Sequence, residues 1–81
     1  MFCAYVIQSI ASHNFYKGHC ENLEARLIQH NSGKVKTTKS FKPWKFIYFE
    51  KFETRAQAIA REKYFKTGAG RRFLKKIIIK K

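Results

Sequence analysis

The first twenty residues limit the fold more than any other stretch. Phe2 to Ser9 is a β-branched and aromatic run, the polar Ala11-Ser12-His13-Asn14 follows it, and Phe15 to Cys20 is a second short run. This pattern predicts a β-hairpin. If Cys3 faces Cys20, then Tyr5 faces Gly18, and the two-residue period sets Tyr5 and Tyr16 on one face as diagonal neighbours. Two phenols are then expected to reach one site.

Asn22 is the expected N-cap of a helix reaching about His30, with Glu24 in the dipole-favoured first turn and Gly33 just past its end. Leu23 and Leu27 mark its core stripe, while Arg26 and His30, four residues apart, share another face. Ser32 to Lys42 carries Lys34, Lys36, Lys39 and Lys42 among Ser and Thr without a hydrophobic period, and reads as a basic surface loop. Pro43 closes it. Trp44 to Phe52 is the expected third strand, with Phe46, Tyr48 and Phe52 on one face.

Thr54 with Gln57 matches a capping box that opens a helix through about Lys66, packed through Ala58, Ile59 and Phe65 and ended by Gly68. Gly70 to Lys80 reads as a last short helix with Phe73, Leu74, Ile77 and Ile78 as its buried stripe. The predicted architecture is α+β: one domain over residues 1–81, a three-stranded antiparallel sheet flanked by three helices in the order β-β-α-β-α-α.

Charge points to a partner. Eighteen Lys and Arg oppose five Glu and no Asp, a formal charge of +13 that repels itself on folding and suits a polyanion. Nucleic acid is the first expectation. The apolar opening run lacks a basic n-region and is too short to span a bilayer, so stable membrane association is not expected. Two cysteines allow at most one bridge, conceivable between Cys3 and Cys20, and otherwise fit a reducing, cytoplasmic setting. Cys3, Cys20, His13 and His19 lack the spacing of a zinc site.

The residues in order carry a resemblance. Tyr5 with its strand, Tyr16-Lys17-Gly18, Asn22 through Leu27 ending in His30-Asn31-Ser32-Gly33, Lys42-Pro43-Trp44-Lys45 and Ala60-Arg61-Glu62-Lys63 resemble the GIY-YIG endonuclease superfamily. They are most similar to its small stand-alone bacterial members. The first signature tripeptide is Cys3-Ala4-Tyr5, keeping only its tyrosine, and Lys17 replaces the usual isoleucine of the second. The resemblance implies catalytic roles for Tyr5, Tyr16, Arg26, His30 and Glu62, with Glu62 as the metal ligand.

The chemistry fits those residue types. Phosphodiester hydrolysis needs an activated water, neutralisation of charge on the phosphoryl oxygens and a stabilised leaving oxygen. Glu62, as a single hard ligand, would hold Mg²⁺ or Mn²⁺, and Arg26 offers a permanently charged fork to the phosphate. The resemblance favours Tyr5 as general base, with Tyr16 orienting water or phosphate and His30 assisting. On chemistry alone His30 is the easier base. Lys17, Lys34, Lys36, Lys39, Lys42 and Lys45 are expected to track phosphates.

The expected activity is therefore a metal-dependent DNA endonuclease, structure-selective or repair-related, with specificity supplied by DNA shape or by a protein partner. The alternative is a non-catalytic nucleic-acid-binding module of the same fold, acting on DNA or RNA.

Overall fold

The computed structural model describes residues 1–79. Its elements are β1 (Phe2–Ser9), β2 (Phe15–Cys20), α1 (Leu23–Asn31), a 3-10 turn (Lys39–Phe41), β3 (Trp44–Phe52), α2 (Arg55–Phe65) and α3 (Gly68–Ile79). The α+β order β-β-α-β-α-α is as predicted. The expected end of the last helix at Lys80 lies outside the described residues.

The sheet is antiparallel in the order β2-β1-β3. Because β1 is central it must be apolar on both sides, and Cys3 to Ile7 are all buried. One face, with Cys3, Tyr5, Ile7, Cys20 and Trp44, packs against Leu23 and Leu27 of α1. The other, with Ala4 and Val6, packs against Phe65 of α2 and Phe73, Leu74 and Ile78 of α3. Helices on both faces of a three-stranded sheet thus give two thin cores sharing one strand.

The hairpin register follows the two-residue period: Cys3 pairs with Cys20, Tyr5 with Gly18 and Ile7 with Tyr16. The third strand departs from it. Val6 pairs with Tyr48 but Ile7 pairs with Phe46, so Ile47 is an inserted bulge residue. An extra residue flips the side-chain alternation. Phe46 therefore joins the Tyr5 face, whereas Tyr48 and Phe52 join the opposite core, correcting the expectation of a single face for all three.

The helix ends show their chemistry. Asn22 accepts from the Ala25 N–H at the start of α1, and Lys34 and Gly33 return their N–H groups to Gln29 and His30 at its end. Thr54 and Gln57 form the full capping box of α2. Such a cap contributes about 1 kcal/mol. Gly68, in contrast, opens α3 rather than ending α2.

The reason for that difference lies in Thr67, whose hydroxyl accepts from the Gly70 N–H and donates to the Tyr64 carbonyl, capping α3 immediately after α2. Gly70 sits where a Cβ would collide with the Tyr64 carbonyl oxygen. Its glycine is required by the close approach of the two helices.

Candidate active site

Tyr5 projects from the central strand across the edge strand, over Gly18. A Cβ at residue 18 would lie 2.5 Å from the Tyr5 hydroxyl and 2.7 Å from the carbon bearing it. Gly18 thus makes the slot that holds the phenol. Tyr16, two residues earlier on the same face, is half-buried with its ring centroid 6.5 Å from that of Tyr5.

Helix α1 brings Arg26 and His30 to this face, one turn apart. His30 is fully buried, its ring edge-on to Tyr16 at 5.2 Å and to Tyr5 at 5.9 Å. The Tyr5 hydroxyl lies 2.8 Å from His30 Nε2, and Arg26 Nε donates to the same oxygen at 3.4 Å. His30 Nδ1 lies 2.7 Å from the Thr38 hydroxyl, which donates in turn to the Val35 carbonyl.

These donors and acceptors resolve into one direction. Thr38 spends its proton on Val35, so it accepts from His30 Nδ1–H, leaving Nε2 to accept from Tyr5. The imidazole is neutral: burial, then the positive charge of Arg26, holds it down to about 4. Burial pushes the Tyr5 phenol up to about 12 against the opposing pull of Arg26. Arg26 itself is pushed up by its hydrogen bond to Tyr5, and its Nη1 donates to Gln29 Oε1 at 2.9 Å.

Thr38, Trp44 and Asn31 buttress this cluster through hydrogen bonds. Trp44 Nε1 donates to the Thr38 carbonyl at 2.9 Å, and Asn31 exchanges two hydrogen bonds with the Trp44 backbone. They fasten the lysine-bearing loop against the His30 ring. The signal was present in the order Asn31, Thr38, Trp44, whose polar groups need partners once the aromatic cluster is buried.

Glu62 lies elsewhere. It is carried by α2 on the Ala4 and Val6 face, where His19 Nδ1 donates to Oε1 at 2.6 Å and Lys66 Nζ to Oε2 at 2.8 Å. His19 directly follows Gly18, so the carboxylate sits below the edge strand at the point where Tyr5 passes above it. Burial pushes Glu62 up, but the hydrogen bonds from Lys66 and His19 outweigh it and hold the group below the usual carboxylate range. The five sequence-derived residues therefore form a group of four and a single carboxylate, divided by one strand.

The lysines divide in the same way. Lys34, Lys36, Lys39 and Lys42 are exposed on the loop beside His30, while Lys17 and Lys45 alternate to the opposite face. Lys17 therefore lies on the Glu62 side of the sheet and not on that of the Tyr5 hydroxyl.

Whether Glu62 suits a metal follows from its donor chemistry. It is an ionised hard oxygen ligand with a neighbouring imidazole, and no group of three His, Cys, Asp or Glu is assembled among the described residues. That set fits a hard divalent cation which keeps most of its water and takes further oxygens from phosphate; it does not fit structural zinc. Cys3 and Cys20 are buried free thiols, with Cys20 pushed up to about 11 by burial. No helix among the described residues is long and apolar enough to cross a membrane.

Comparison with known proteins gives this geometry a family. The GIY-YIG catalytic domain matches residues 1–76. The chain is 37% identical over 65 residues to a UPF0213 protein of Staphylococcus saprophyticus, covering 79% of each chain. It is 38% identical over 65 residues to one of Staphylococcus haemolyticus, again covering 79% of each. A UPF0213 protein of Listeria innocua is 36% identical over 63 residues, covering 76% of this chain and 70% of that one. With a catalytic nuclease domain matched over nearly its whole length and Tyr5, Tyr16, Arg26 and His30 gathered at its centre, the chain belongs to the GIY-YIG family.

Proposed function

We propose that the protein is a divalent-metal-dependent endonuclease that hydrolyses DNA phosphodiester bonds. The observation that carries this reading is the convergence of Arg26 and His30 on the buried Tyr5 hydroxyl, with the Tyr16 ring packed beside them and the ionised Glu62 on the opposite face of the sheet. In this reading Arg26 faces the scissile phosphate and its charge offsets that developing on the phosphoryl oxygens. Glu62 would hold Mg²⁺ or Mn²⁺, which when bound supplies Lewis-acid stabilisation of phosphate charge.

The protein groups divide the remaining work. Tyr16 is the half-buried phenol and in this reading meets the attacking water, while Tyr5 is 1% exposed and already hydrogen-bonded to His30. Tyr5 accepts from Arg26 Nε and donates to His30 Nε2, which fixes the guanidinium in place. Direct loss of the Tyr5 proton to the medium is opposed by its pKa near 12. We therefore assign the first contact with water to Tyr16 and a positioning role to the Tyr5–His30 pair.

Phosphate contacts from Lys34, Lys36, Lys39 and Lys42 on the loop side, and from Lys17 and Lys45 on the other, would grip DNA irrespective of sequence. Selectivity is then for shape, such as flaps, branches or damaged ends, consistent with a repair role. A cleavage panel of single-stranded, duplex, flap and four-way DNA, plus RNA, tests the reading with wild type and Glu62→Gln. Cutting by wild type alone supports it. Binding without cutting of any form, with Mg²⁺ or Mn²⁺, makes the protein a nucleic-acid-binding module instead.

A further inference from the structure

The face of the sheet opposite Tyr5 holds a feature that the catalytic cluster does not use. Helix α3 leaves a groove of about 380 Å³ against β1 and β2, lined by Val6, Phe15, Leu74 and Ile78 and rimmed by Lys17, Arg71 and Lys75. Arg71, Leu74, Lys75 and Ile78 form one stripe of α3, spaced to cover the sheet. Phe15 stands at its edge, 43% exposed.

An apolar floor ringed by three cations, with no carboxylate in its lining, calls for a flat apolar body bearing negative charge. The groove also adjoins the carboxylate side of the candidate active site. Lys17 and His19 alternate to the same face of β2, two residues or about 7 Å apart along the strand, and His19 is bonded to Glu62. Burial, then the charges of Arg71 and Lys66, lowers the Lys17 pKa, and Lys66 is itself paired with Glu62. A cationic track therefore runs from Glu62 past Lys17 into the groove.

We propose that this groove accepts one unstacked nucleobase of the bound strand, stacked on Phe15, while Lys17, Arg71 and Lys75 hold the flanking phosphates. A nucleotide unites the two chemistries that the lining offers, and base stacking on an aromatic side chain tolerates any sequence. The inference rests on the nuclease reading for the phosphate placed at Glu62. It gives that reading a preference for strands whose bases are free to leave the stack.

The experiment compares a short single-stranded deoxyoligonucleotide with an abasic oligomer of equal phosphate number, by fluorescence anisotropy in chelator without divalent metal. Wild type is expected to bind the base-bearing strand about tenfold more tightly. Phe15→Ala, a change at an exposed position checked by circular dichroism, should erase that preference without weakening the abasic strand. Arg71→Ala with Lys75→Ala should weaken both strands alike.

Equal affinity of wild type for the two oligomers, or a preference that survives Phe15→Ala, overturns the proposal. Tighter association with anionic phospholipid vesicles than with either oligomer at the same salt overturns it too, assigning the groove to an acyl chain. Mg²⁺-dependent cleavage measured in parallel separates the two readings. Cleavage that persists when the base preference is absent, or when neither oligomer binds, leaves the nuclease reading standing while the groove proposal falls, whereas absence of cleavage together with absence of the preference removes both.

Discussion

Gly18 lies beneath the Tyr5 phenol so closely that a methyl group there would come within 2.5 Å of the hydroxyl oxygen. The edge strand is thereby thinned at the one place where the Tyr5 cluster above and Glu62 below approach it. A glycine in a strand interior weakens pairing and needs such a reason.

Gly18→Ala is accordingly expected to destabilise the fold by about 1 to 3 kcal/mol, the usual cost of overpacking a filled site. Urea unfolding measures it. Part of the loss should be recovered in a Tyr5→Phe background, because the hydroxyl oxygen is the nearest clashing atom. Equal losses in the two backgrounds would contradict the steric explanation.

His30 makes stability depend on pH. Its folded pKa of about 4 lies below the ordinary 6.5, so between these values the unfolded chain binds more protons. The neutral ring's contribution is complete above about 6.5 and is lost as pH falls through the folded value, amounting to on the order of 3 kcal/mol. Urea midpoints at pH 7 and pH 4.5 should therefore differ more for wild type than for His30→Gln. Parallel pH profiles would show that His30 is not held neutral.

The two phenols should separate kinetically. Tyr16→Phe is expected to lower kcat by at least about a hundredfold, the scale of removing a group that transfers a proton. Tyr5→Phe should cost about tenfold, since it removes an acceptor for Arg26 and a donor to His30 but leaves Tyr16 in place. Single-turnover cleavage rates decide the order, and a larger loss in Tyr5→Phe would make Tyr5 the group that meets water.

Salt titration checks how the strand is held. Observed affinity should fall linearly with log salt, and neutralising Lys34, Lys36 or Lys39 should reduce the slope by about 0.7 to 0.9 for each phosphate that then goes unneutralised. Unchanged slopes would place the exposed loop lysines away from DNA.

Much of this arrangement was legible in the chain. The Tyr5 and Tyr16 alternation with Gly18 opposite Tyr5, the Asn22 cap and the Thr54–Gln57 box are local signals, and each corresponds to an element in its expected place. The Ile47 bulge was not legible, because Trp44 to Phe52 is apolar enough to alternate in either register. Nor was the division of Glu62 from the Arg26 side. Helical spacing places residues on a helix face, but which side of the sheet a helix covers depends on long-range packing.

His19, Lys66 and Thr38 illustrate the remainder. Each acquires a role through a partner at a different range: Lys66 on Glu62 one helical turn away, Thr38 on His30 and His19 on Glu62. The Thr38 hydrogen bond spans eight residues and that of His19 forty-three. Periodicity carries no information over the second distance.

Nicking of supercoiled plasmid with Mg²⁺ is the decisive measurement for the nuclease reading, comparing wild type, Arg26→Ala and Glu62→Gln at protein concentrations that bind the DNA equally. Wild type should nick in a Mg²⁺-dependent manner abolished by chelator, and both variants should be slower by at least about a hundredfold with binding retained. Wild-type protein that binds the plasmid without nicking it, or a Glu62→Gln variant that cuts at the wild-type rate, would contradict it.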